Sequence, residues 1–281
     1  MRYIVLSLWL FSTLVSNAQL KSKWSTNGKG ALFGQFSYNS SVYSRSDVEL
    51  HNTNYTITLK NVQIRDNIEG KGIASFISTS SPQFGAKLGY YIANKWAIIV
   101  SYDRYNTFFV DNQSIQLDGT FAPESNETYT GTYTNLPIIL RRNDFNIQQR
   151  QGMNYFALGV QRADEWIKSR TGAFSFQTVY GLKIGGIQTK IDYTFNGITK
   201  QSISSFGGLG IAANIGLRFD FWQHVFLQLG LDGGYLSQNK IKTGNNAESF
   251  AIQKLGFLSP NISLGFSLFT SSNGCDTCPK W

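Results

Sequence analysis

Residues 208–221, GLGIAANIGLRFDF, carry an apolar side chain at every second position, from Leu209 and Ile211 through Ala213, Ile215 and Leu217 to Phe219 and Phe221. Side chains alternate between the two faces of a strand, so a strict period of two specifies an extended segment, whereas a helix would scatter these residues around its axis. The positions between them hold Gly208, Gly210, Ala212, Asn214, Gly216, Arg218 and Asp220. A face of small residues with one cation and one anion suits neither a soluble core nor an ordinary wet surface. GLGIAA also matches the dinucleotide-binding G-x-G-x-x-A pattern in form. Those glycines belong in a turn between a strand and a helix, and here they lie inside an unbroken strand pattern.

The same alternation recurs. Gln83–Ile92 sets Phe84, Ala86, Leu88, Tyr90 and Ile92 against Gln83, Gly85, Lys87, Gly89 and Tyr91. Residues 173–184 set Phe174, Phe176, Tyr180, Leu182 and Ile184 against Ser175, Gln177, Gly181 and Lys183; 225–235 set Val225, Leu227, Leu229, Leu231 and Tyr235 against Gln228, Gly230, Asp232 and Gly234. Residues 258–268 repeat it, and weaker versions at about 30–44, 96–108 and 153–163 bring the expectation to about eight strands. Composition agrees: 15% aromatic residues and 27 Gly favour a pleated sheet over helices. Beyond the N-terminus no segment approaches the roughly 20 apolar residues of a membrane helix.

MRYIVLSLWLFSTLVSNAQ has the order of a secretory signal: basic Arg2, an apolar run from about Tyr3 to Val15, then Ser16 and Ala18 before Gln19. Residues 1–18 are therefore expected to be a signal peptide, 19–270 a β-barrel and 271–281 a periplasmic tail. Connections fall into two kinds. Those near 92–96, 163–173 and 221–225 are short, and those at about 45–82, 109–152, 185–203 and 239–253 are long and polar. Short turns on one rim and long loops on the other are the pattern of a membrane barrel, with an even strand number if both termini are periplasmic. Trp24, Trp96, Trp166 and Trp222 mark the short-turn rim, where indole rings favour the lipid headgroup level. With lipid outside, the apolar face points outward, and Lys87, Lys183, Arg218, Asp220 and Asp232 line a narrow, side-chain-filled interior in which they pair with one another. The alternative is ten to twelve strands, with 54–64 and 114–121 entering the membrane and a lumen wide enough for small solutes.

On these residues the chain resembles the small Gram-negative outer-membrane β-barrels of the outer-membrane protein A type. With its NAQ signal ending and its first loop YSRSDVELHNTNYTITLKNVQ (43–63), it also resembles the outer-membrane β-barrel proteins of Bacteroidota. The resemblance implies an all-β, antiparallel up-and-down transmembrane barrel in the cell outer membrane, handled by periplasmic chaperones and the barrel-assembly machinery. It implies no activity and no cofactor. SSNGCDTCPKW follows the last strand, which departs from a strictly C-terminal aromatic assembly signal. Its Cys275 and Cys278 fit a local disulfide, since two thiolates cannot complete a zinc site and no thioredoxin-like unit surrounds them. Pro260, inside the last strand, is expected at a bulge or seam irregularity.

The formal net charge is +8. Arg45, Lys60, Arg65, Arg141, Arg142, Arg150, Lys190, Lys200, Lys240 and Lys242 fall in or near the long connections, where they would face outer-membrane lipid and lipopolysaccharide phosphates. An export signal argues against nucleic acid. Some barrels of this size modify lipid A with a Ser and a His near the outer leaflet. His224 lies at the wrong rim, which leaves His51, near Ser44, Ser46, Asp47 and Glu49, as the one catalytic candidate. The expected role is structural or interactive at the surface, with an unidentified surface ligand. The alternatives are a lipid A hydrolase and a small-solute channel.

Overall fold

The structure is a computed structural model that describes residues 26–66, 83–123, 129–149, 152–244, 246 and 248–269. The proposed signal peptide, Trp24, Arg150, and Cys275 with Cys278 lie outside the described residues. In chain order the strands are β1 (Ala31–Asn39), β2 (Val42–Tyr43), β3 (Ser46–Asn52), β4 (Tyr55–Val62), β5 (Ile64–Arg65), β6 (Phe84–Ala93), β7 (Trp96–Tyr105) and β8 (Phe108–Phe109). There follow β9 (Gln113–Phe121), β10 (Gly131–Leu140), β11 (Phe145–Gln148), β12 (Met153–Lys168), β13 (Phe174–Phe195), β14 (Ile198–Phe221), β15 (Val225–Lys242) and β16 (Phe250–Phe269).

Eight of these close a ring of antiparallel pairs, β1–β6–β7–β12–β13–β14–β15–β16 and back to β1. Closure removes both sheet edges, and every strand keeps the inside–outside alternation. The face question raised by residues 208–221 has a direct answer. Leu209, Ile211 and Ile215 are 66%, 55% and 59% exposed on the outside, while Ala212, Asn214, Arg218 and Asp220 are buried inside.

The connections expected to be polar loops are largely strand. Beyond the ring its wall continues as β16–β2–β5–β8–β11–β13, so that short strands take over from β1, β6, β7 and β12. A second sheet, β3–β4–β9–β10, branches from the end of β16. Residues 185–203 and 239–253 belong mainly to β13, β14, β15 and β16, which run well past the ring; Asn196 and Gly197 turn β13 into β14 with φ of 48° and 77°. This extension has its own apolar core, which includes Val48, Leu50, Ile57, Leu59, Ile115 and Leu117. The stretches 54–64 and 114–121 are thus strands of the extension and not of the ring. Their outward positions, such as Thr56 and Gln116, are polar and exposed, a face that belongs in water and not in lipid.

One further expectation is corrected. β12 runs to Lys168, so Trp166 stands on a strand and the turn is confined to 169–173. Of the bulge or seam irregularity expected at Pro260, the structure shows the seam: the register with Leu231 of β15 is continuous, and the irregularity lies on the other side. The missing N–H of Pro260 matters there. The Pro260 carbonyl accepts from Ser40 N at 3.3 Å, and Ser40 O, which a backbone donor at 260 would otherwise reach, accepts from the Ser259 hydroxyl at 3.1 Å. The pairing of β16 passes from β1 to β2 at this point.

Candidate functional site: the barrel interior

Three layers fill the interior. Nearest the short turns lies a small apolar cluster of Ala31, Phe33, Tyr91, Ala97, Ile99, Ala163, Val179 and Phe226. Arg218 is held beside it: its Nε and Nη2 donate to Asp220 Oδ1 at 2.9 and 2.7 Å, and Nη2 also donates to Ser267 Oγ at 2.8 Å. Asp220 Oδ2 accepts from Ser175 Oγ at 3.1 Å and Gln177 Nε2 at 2.8 Å. Arg218 and Asp220 sit two apart on β14, which puts both on the inner face.

The middle layer is ionic. Lys183 of β13 donates to Asp103 of β7 and to Asp232 of β15, each at 2.8 Å. Ser101 Oγ supports Asp103 at 3.2 Å and Asn261 Nδ2 supports Asp232 at 3.3 Å. A buried ion pair persists when its remaining lone pairs are also satisfied, and these contacts do that. Lys87 departs from the expected pairing. Among the described residues it forms no ion pair, and its Nζ donates to Gln161 Oε1 at 3.4 Å. Asp103 is the interior charge that sequence reasoning missed. The signal was present, since Ser101, Asp103 and Tyr105 alternate with Val100, Tyr102 and Arg104.

Above the ions the lumen runs into the apolar core of the extension. Tyr155 enters it, donating its hydroxyl to Gly210 O at 2.9 Å, and the Tyr55 and Tyr193 hydroxyls meet at 2.6 Å. Burial pushes both of the latter phenols up.

The catalytic candidate His51 lies on β3. His51 stacks on Phe250 at 4.7 Å between ring centroids and lies 3.7 Å from Glu49. Ser44 Oγ accepts from Gly256 N, and Ser46 Oγ donates to Asp47 O, so both hydroxyls serve backbone groups. Among the described residues no group of three or more His, Cys, Asp or Glu could hold a metal ion.

Outside, the ring carries large exposed apolar side chains on every strand, for example Phe36, Ile92, Val100, Leu158, Leu182, Leu209, Leu229 and Leu264. Trp96, Trp166 and Trp222 are exposed at the short-turn rim. At the opposite edge Phe36, Phe84, Tyr102 and Phe156 form a row with centroids 5.1–5.8 Å apart. An apolar outer band with aromatic edges around a polar interior is the inverse of a soluble barrel, and it defines a transmembrane β-barrel.

No family model and no curated protein matches the sequence. Among solved structures the chain is similar to the N-terminal β-barrel domain of Pseudomonas aeruginosa OprF, at 11% identity over 86% of this chain and 99% of that one, TM-score 0.36. It is also similar to OprG of the same organism (14%, 86% and 98%, TM-score 0.39) and to the outer membrane protein AlkL (10%, 92% and 99%, TM-score 0.42). At such scores the fold assignment rests on the strand pairing itself.

Proposed function

We propose that this chain is an outer-membrane barrel that closes its own lumen and presents its β-extension at the cell surface for structural or binding purposes. One observation supports the reading: an apolar belt surrounds a ring whose interior is crossed by the Asp103–Lys183–Asp232 bridge. The Trp-marked rim faces the periplasm, and the extension faces outward with cations such as Arg45, Arg65, Lys200, Lys240 and Lys242 toward lipopolysaccharide phosphates. Chaperone and assembly factors would deliver it as they do other barrels. In this reading His51, stacked on Phe250 and 3.7 Å from Glu49, has no catalytic part.

The test is conductance in planar bilayers together with membrane fractionation. The wild type should float with outer membranes and give no stable steps. Regular porin-like steps would overturn the closed-lumen reading, and recovery in the soluble periplasmic fraction would overturn the barrel placement. Lipid A of unchanged acylation in cells with wild type, His51→Ala or no protein is the expected result for a non-enzyme.

A further inference from the structure

The outer wall is not uniform. Across β16, β1, β6, β7 and β12 the register sets outward residues in level rows. The uppermost turns polar: Phe84 is followed by Arg104 of β7 and Asn154 of β12, with Gln188 of β13 beyond. The rows below are apolar and are interrupted by two small residues, Ala86 and Gly34. A Cβ at Gly34 would lie 2.7 Å from the Phe266 ring, which rests against it and would have to move aside. The result is a groove of about 600 Å³ between the Phe36 and Phe266 side and the Tyr102 and Phe156 side. It lies in the half of the belt nearer the extension, directly below Arg104.

We infer that this groove seats an acyl chain of one outer-leaflet phosphoglycolipid of the lipid A class, with Arg104 taking its phosphate. The inference rests on the outer-membrane reading above. A depression in a lipid-facing wall is filled by hydrocarbon, since water finds no polar partner there. The cation above it decides which lipid: a guanidinium at headgroup level forms charge-assisted, bidentate hydrogen bonds with phosphate oxygens. Arg104 is placed for this role. Its guanidinium lies 5.7 Å from the Phe84 ring centroid, and its stem runs along Gly152, where a Cβ would come within 2.8 Å of it. Tyr102 donates its hydroxyl to Asn154 Oδ1 at 2.8 Å, fixing the polar edge of the groove.

The experiment is native mass spectrometry of full-length protein refolded in detergent and titrated with bisphosphorylated lipid A, dephosphorylated lipid A or phosphatidylethanolamine. Wild type should retain one bisphosphorylated lipid A in preference to the other two. Ala86→Leu fills the groove and should lose that retention. Ala213→Leu, on the belt of β14 away from the groove, should not. Arg104→Gln should weaken retention of bisphosphorylated lipid A about ten-fold, the scale of losing a hydrogen bond to a charged group, and leave the dephosphorylated form unchanged. Equal retention by wild type and Ala86→Leu overturns the seat, and equal loss of both lipid A forms in Arg104→Gln overturns the phosphate contact. Insertion of the wild type into phosphatidylcholine vesicles, scored by protease protection, tests the membrane reading separately. A chain that inserts but shows no preference defeats only the seat.

Discussion

The guanidinium carbon of Arg218 lies 3.6 Å from the centroid of the Phe226 ring. That closeness depends on Gly265, across the wall, where a Cβ would stand 2.1 Å from Phe226 Cζ. Glycine at that inward position lets the ring lie against the sheet, and the ring in turn faces the cation whose other side is held by Asp220. Cation–π contact and the ion pair together fix a planar, fully buried group. Arg218→Leu strands Asp220 on Ser175 and Gln177, and should cost about 3–5 kcal/mol in urea unfolding from micelles. Arg218→Leu with Asp220→Leu should recover much of that loss. An unchanged midpoint for the single variant would refute the pairing.

Lys183 bridges two carboxylates, so its removal is not equivalent to removal of the whole group. Lys183→Met should leave Asp103 and Asp232 buried without their bridging cation and should lower the unfolding midpoint sharply. The triple variant Lys183→Met, Asp103→Asn, Asp232→Asn should be milder than the single, because no unpaired carboxylate remains. A triple variant as unstable as the sum of its parts would show that the residues do not act as a unit.

The β14–β15 turn holds Trp222 and Gln223 at φ of 50° and 66°, where hairpins ordinarily use Asn or Gly. Trp222 contributes to the headgroup rim, but Gln223 has no such role to offset its backbone conformation. Gln223→Gly should therefore raise stability by about 0.5–1 kcal/mol, read as a higher urea midpoint with membrane insertion unchanged. A lower midpoint would mean that the glutamine side chain contributes more than its backbone costs.

On the extension, Asp118 accepts from Lys60 and from Asn135 N, at the bulge between β9 and β10. The Lys60 hydrogen bond first, and the Asn135 N–H second, hold this carboxyl below its ordinary 3.8. A folded value below the unfolded one makes the contact stabilising at and above about pH 4, and that stabilisation disappears as pH falls through the folded value. Hydrogen-exchange protection in residues 131–140, corrected for the intrinsic rate at each pH, should fall only below pH 4. In Asp118→Asn it should be low already at neutral pH and should show no such step. A step near pH 4.5 or higher would contradict the sign of the shift.

The period-two pattern by itself determined the strands of the ring, the direction of their faces and the interior placement of Lys87, Lys183, Arg218, Asp220 and Asp232. A side chain's face follows from its parity alone, so no long-range contact is needed to read it. Asn196–Gly197 suits a hairpin turn, but the polar residues around it place 185–203 among the expected loops and hide the strands on either side. Only the tertiary structure decided which charges meet. Asp103, Lys183 and Asp232 come from three strands far apart in sequence, and their contact depends on strand register and barrel closure, which sequence parity does not specify. The same holds for the extension. Val48, Ile57 and Leu117 alternate as ring strands do, and what separates them is the polar face opposite, which becomes informative only once the ring shows where lipid ends and water begins.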